Sequence, residues 1–281
     1  MKILVAVPVF NEEKYVSPVL REIRKYARAA AISHSPAVEM RVLVIDDGST
    51  DSTPTILTDL ARLGHIDLLT HPENRCYGQS LIDAFSYAAA RDYDWVITLD
   101  CDEQHEPCRI PLFVRECLRN DADIISGSRY LRPDWNTGDG QSVPPVDRRN
   151  INRLITELLN STLHLNVLDA ESAGCITDAF CGFKAHRVSA MQRMNLTIPG
   201  YAFPMQFWVQ ADTLGLRIRE MPVKLIYKDA TRHFGGMLDD PVVRLRHYLE
   251  VMIREIESQR DAGVVVERQG RLDPQCACAF E

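Results

Sequence analysis

Short apolar runs alternate with longer amphipathic stretches through the first half of the chain. Ile3 to Val9, Arg41 to Ile45, Ile66 to Thr70, Trp95 to Leu99 and Ile124 to Gly127 are rich in Val, Ile and Leu, as strands buried on both faces must be. Between them, Tyr15 to Ala31, Thr53 to Leu63, Gln79 to Arg91 and Ile110 to Arg119 carry apolar residues at helical spacing. Strands alternating with helices predict an α/β fold with a mostly parallel central sheet covered on both faces. In such sheets ligands bind beyond the carboxyl ends of the strands.

The second half changes rhythm. Leu131 to Val146 holds three prolines and two glycines and reads as a loop. A helix is predicted over Arg149 to Leu163 from Ile151, Leu154, Ile155, Leu158 and Leu159, another over Pro204 to Leu214, and a last one from Pro241 to Gln259. Ala179 to His186 and Ile218 to Val223 read as further strands. The pattern predicts one domain over residues 1–258, with halves 1–128 and 129–258, and a poorly ordered tail over 259–281. The last helix places Leu245, Leu249, Met252, Ile253 and Ile256 on one side, a stripe for core packing or for an anionic membrane surface.

Composition narrows the class. A chain of 281 residues, 46% of them hydrophobic, can bury a large core. The net charge of -7 argues against a broad nucleic-acid footprint. Neither a spanning helix nor a signal segment is evident, so the expected location is the cytoplasm. The 8 cysteines form no Cys-x-x-Cys framework, which favours reduced thiols.

Polar clusters follow three of the strands: Phe10-Asn11-Glu12, Asp46-Asp47-Gly48-Ser49, and Asp100-Cys101-Asp102-Glu103-Gln104. Alternate side chains of an extended segment point the same way, so Asp100, Asp102 and Gln104 could converge on one cation. Oxygen donors suit Mg²⁺ or Mn²⁺ rather than zinc. Ser49 to Ser52 would also cap a helix, and that use is compatible with ligand contact by the aspartates.

In Val7-Pro8-Val9-Phe10-Asn11-Glu12-Glu13, Val44 to Thr53, Leu99 to His105 and Ser126-Gly127-Ser128-Arg129-Tyr130, order and spacing resemble glycosyltransferase family 2 enzymes of GT-A fold, and within them the dolichyl-phosphate mannose synthase and polyprenyl-phosphate glycosyltransferase group. The resemblance implies that Pro8, Asn11, Glu12, Asp46 and Asp47 line the nucleotide, with Gly78 and Asp100 on the donor. It implies metal ligands at Asp100, Asp102 and Gln104, Asp100 touching the ribose as the alternative. Arg129, Arg149 and Arg232 would hold an acceptor phosphate, guanidinium being suited to that geometry. Asp102 and Asp178 are the implied catalytic carboxylates. With a hydroxyl acceptor Asp178 would be the general base; with a phosphate acceptor it would only position groups.

The sequence departs from the family strings at Cys76, Cys181, Lys184 and Gln206, where glycine, serine, arginine and glutamate are usual. The expected reaction is metal-dependent, inverting hexosyl transfer from a GDP- or UDP-sugar to a lipid phosphate, with a peripheral membrane contact or a membrane partner subunit. A saccharide acceptor and a catalytically silent nucleotide-sugar-binding protein are the alternatives. A dinucleotide dehydrogenase would need Gly-x-Gly-x-x-Gly after the first strand, where Phe10-Asn11-Glu12-Glu13 stands.

Overall fold

The computed structural model describes residues 1–34, 36–132, 144–168, 174–227 and 234–263. Eight strands form one sheet in the order β3-β2-β1-β4-β7-β5-β8-β6. They are β1 (Lys2–Val9), β2 (Glu39–Asp46), β3 (Asp67–Thr70), β4 (Trp95–Thr98), β5 (Ile124–Ser128), β6 (Asn166–Val167), β7 (Lys184–Arg187) and β8 (Arg217–Pro222). All pairings are parallel except those of β7, which runs antiparallel between β4 and β5. The sheet therefore joins strands from both halves of the chain.

The helices are α1 (Val16–Ser33), α2 (Thr53–Arg62), α3 (Tyr77–Ala89), α4 (Ile110–Arg119), α5 (Val146–Thr162), α6 (Val188–Met191), α7 (Phe203–Thr213) and α8 (Pro241–Asp261). Strand alternation sorts the core into two layers. Ile3, Val5, Val7 and Val9 pack with residues of α1, α2 and α4, whereas Leu4 and Ala6 face the layer built on α3, α5, α7 and α8. Tyr248, Val251, Met252 and Ile256 of α8 are buried, so most of its apolar stripe is core; Ile253 is exposed.

The second half corrects three expectations. The strand predicted over Ala179 to His186 begins only at Lys184, because residues 178–183 are committed to side-chain bonds at the sheet edge. Helix α5 starts three residues earlier than predicted, with Pro145 as its N-cap, and α8 runs on to Asp261. Among the described residues Cys76, Cys101, Cys108, Cys117 and Cys181 are free thiols. Among the described residues no helix is long and apolar enough to cross a membrane.

Candidate active site

The loops after β1, β2, β4 and β5 meet at the carboxyl edge of the parallel strands and open into a cavity of about 640 Å³. At the first loop, Asn11 takes a left-handed backbone (φ 53°) and its side-chain oxygen accepts from Thr50 N at 2.8 Å. Its own N–H donates to Ser49 Oγ at 2.9 Å. Glu12 N donates to Thr53 Oγ1, and Asp46 accepts from Ser49 N at 3.0 Å. These bonds staple the first two loops together, so Asn11 and Asp46 brace the wall while Pro8, Phe10, Glu12 and Asp47 line the cavity.

The middle of the cavity is acidic. Asp100 N donates to His105 Nδ1 at 3.1 Å, which fixes that buried ring as neutral at Nδ1; burial pushes His105 down to about 4. Asp102 accepts from Gln104 N at 3.0 Å, closing a tight turn through Glu103 at φ 61°. Tyr77, in the first turn of α3, bonds Asp100, and burial together with that carboxylate raises the phenol well above its ordinary value. A Cβ on Gly182 would lie 2.8 Å from Asp100 Oδ2 and 2.9 Å from the Tyr77 hydroxyl, so only glycine leaves this pair intact. Among the described residues no three His, Cys, Asp or Glu side chains gather as a metal cage. Asp100, Asp102 and Gln104 all line the cavity, a small oxygen donor set that fits an ion completed by substrate oxygens and water.

Beyond the acidic centre stands an ion pair whose carboxylate is buried and whose guanidinium is partly exposed to the cavity. Arg129 Nε and Nη2 meet Asp178 Oδ2 and Oδ1 at 2.7 and 2.9 Å, and Arg129 N adds a third bond at 3.1 Å. Asn152 Nδ2 (2.9 Å) and Phe180 N (3.1 Å) complete the shell of Asp178, which is 0% exposed. Burial alone would raise this carboxyl, but the Arg129 charge and its hydrogen bonds outweigh that and pull it down to about 2. Arg129 lines the cavity and Asp178 stands behind it. Below lies a second polar layer: Lys184 Nζ donates to Ser126 Oγ at 2.7 Å, and Glu220 accepts from Thr177 N and Oγ1.

The far wall is basic and aromatic. Arg148 donates to the Tyr227 hydroxyl and lies 4.6 Å over the Phe234 ring. Arg244, 2% exposed, also lies over the Phe234 ring, at 4.4 Å, and holds Leu238 O and Asp147 at 2.7 and 2.5 Å. Tyr201 meets the same ring edge-on at 5.2 Å.

Of the residues expected at the site, Pro8, Glu12, Asp47, Asp100, Asp102, Gln104 and Arg129 line the cavity. Gly78 does not; it lets α3 pack close, since a Cβ there would be 2.4 Å from Ile198 O. Arg149 is exposed and turned outward, whereas Arg148 shares the inward face of α5 with Ile151 and Asn152. Arg232 lies outside the described residues. Gln206 is bound within the fold, accepting from Thr197 N and Ile198 N and donating to Glu255. Extending the predicted helix back by one residue would have picked out Arg148, three residues before Ile151 and so on the same face; no local signal marks Tyr77 or His71, whose partners are distant in sequence, or the bond of Arg244 to Asp147.

A family model, "Glycosyl transferase family 2", matches residues 4–184. An undecaprenyl-phosphate mannosyltransferase of Micrococcus luteus is 25% identical over 254 residues, which cover 88% of this chain and 94% of that protein. An undecaprenyl-phosphate 4-deoxy-4-formamido-L-arabinose transferase of Enterobacter sp. is 27% identical over 83% of this chain and 61% of its own length. A solved mycobacterial protein superposes with a TM-score of 0.62 at 19% identity, over 91% of this chain and 75% of that one, and the shared architecture is the GT-A fold. With the family model covering more than half of its length, the chain belongs to glycosyl transferase family 2.

Proposed function

We propose that this glycosyltransferase moves a hexose, with inversion, from a nucleoside diphosphate sugar to a polyprenyl phosphate. The observation that carries the reading is the saturation of Asp178. Its five hydrogen bonds and its depressed acidity leave no carboxylate there to deprotonate a hydroxyl. An acceptor that is already an anion needs no base. A phosphate monoester would bring its own nucleophilic oxygen, and the cavity offers Arg129 and Arg148 to receive it. The names of the Micrococcus luteus and Enterobacter relatives, both transferases to undecaprenyl phosphate, support the same acceptor class.

In this reading Pro8, Glu12 and Asp47 receive the nucleoside, and the acceptor phosphate enters between Arg129 and Arg148. Its oxygen bonds to the anomeric carbon from the face opposite the diphosphate as the carbon–diphosphate bond breaks. Asp178 holds Arg129 in place and takes no proton. Asp100, Asp102 and Gln104 would hold Mg²⁺ or Mn²⁺, which would neutralise charge on the departing diphosphate. The donor is a GDP- or UDP-hexose.

Incubation with radiolabelled GDP-mannose or UDP-hexose and extracted lipid phosphate, with and without EDTA, tests the proposal. Label should move into the organic phase, and EDTA should prevent it. Turnover on saccharides with none on lipid phosphate would overturn the acceptor assignment.

A further inference from the structure

Asp47 reaches the cavity from the end of β2, and its carboxylate is held from behind by groups that do not touch the cavity. His71, 4% exposed, lies between two carboxylates: Nδ1 is 2.6 Å from Asp47 Oδ1, and Nε2 is 3.0 Å from Asp83 Oδ2. Asp83, on α3, is itself fixed by Gln79 Nε2 at 3.0 Å and by Arg75 Nη1 at 3.4 Å. Arg75 N–H donates a second bond to Asp47 Oδ1 at 2.8 Å. Gly48 (φ +75°) lets the two loops touch: a Cβ there would stand 2.4 Å from the Glu73 carbonyl carbon and 2.6 Å from Asn74 N.

We propose that His71 and Asp83 are positioning residues for the donor nucleotide, acting through Asp47. Both donors reach the same oxygen, Oδ1, so the carboxylate cannot spin about its last torsion, and Oδ2 is left to accept from an N–H or O–H of the nucleoside. A carboxylate oriented before the ligand arrives spares the ordering cost on binding, which appears as affinity. The inference rests on the reading of Asp47 as a nucleoside contact. A purely structural histidine tying β3 to α3 would affect folding stability and leave nucleotide affinity alone.

Calorimetric binding of UDP and of GDP, each with Mn²⁺, alongside thermal melting separates the two. Asp83 is partly exposed on a helix, where alanine is well tolerated. Asp83→Ala should weaken nucleotide binding on the order of tenfold, the value of one lost orienting bond, and leave kcat at saturating donor unchanged. Asp83→Asn, whose amide oxygen can still accept from the ring, should stay within about threefold of the parent. His71→Ala, a second variant, should weaken binding at least as much as Asp83→Ala. A lowered Tm with unchanged nucleotide affinity in both alanine variants would overturn the inference. Asp47→Ala keeps the two failures apart. If it binds nucleotide normally, the donor-site reading itself is wrong; if it loses affinity while the His71 and Asp83 variants do not, only the positioning role is wrong.

Discussion

Replacing Asp178 by Asn removes one negative charge and keeps the shape of the side chain. The native carboxylate collects three bonds from Arg129, one from Asn152 and one from Phe180 N, with no exposure to water. Its acidity moves from the usual 3.8 to about 2, which corresponds to about 2.5 kcal/mol of stabilisation. Leaving Arg129, which is 17% exposed toward the cavity, without its anion costs at most about 3–5 kcal/mol, the figure for fully buried pairs. Asp178→Asn should therefore lower Tm by about 5–15 °C in a chain of this size. Because the folded value lies below the unfolded one, the contribution is complete above about pH 4 and fades as pH falls toward 2. Above about pH 8, beyond the titration of Glu220, which burial and in part the Asp178 charge raise to about 7, the stability gap between parent and variant should be flat. Steady-state assays should show a higher acceptor KM, an unchanged donor KM, and a pH–rate profile with the same limbs as the parent. An Asn variant that melts like the parent, yet loses about a thousandfold or more in kcat together with the acidic limb, would identify Asp178 as a general base and refute the reasoning.

Other substitutions probe separate parts of the cavity. Arg148→Ala should raise the acceptor KM on the order of tenfold and leave the donor KM alone; a change in donor KM alone would move Arg148 to the nucleotide side. Asp102→Ala should abolish transfer and the Mn²⁺-dependent rise in Tm with nucleoside diphosphate, whereas full activity in EDTA would contradict a metal role. Cys76 has φ 73° and ψ 162°, a region nearly confined to glycine. Cys76→Gly should therefore raise Tm by about 2–4 °C, and an unchanged or lower Tm would show that the cysteine is unstrained there.

Much of the first half was legible because its strands are continuous apolar runs and its polar loops fall at one edge of the sheet. Asp47, Asp100, Asp102 and Gln104 could be placed at the carboxyl edge from local pattern alone, since each lies in the loop that opens at the end of a buried strand. What the pattern could not supply depends on distance. His71 joins Asp47 to Asp83, residues brought together only by the packing of β2, β3 and α3. The predicted helix began at Arg149 and so left out Arg148, which stands three residues before Ile151 on the inward face while Arg149 points outward. The antiparallel β7 is shorter than its apolar run because Ala179, Cys181 and Phe183 are apolar for burial and not for a ladder. The family resemblance leads to an acid being expected at Gln206, yet its amide serves the segment Thr197 to Ile198 and does not line the cavity.

The central claim is that the acceptor arrives as an anion and the site supplies no base. Initial rates with undecaprenyl phosphate and with undecaprenol, presented in the same detergent with the same labelled donor, test it most directly. Glycosylation of the phosphate, with turnover of the alcohol at least a hundredfold slower or absent, is the predicted result. Comparable rates on the two lipids would contradict it.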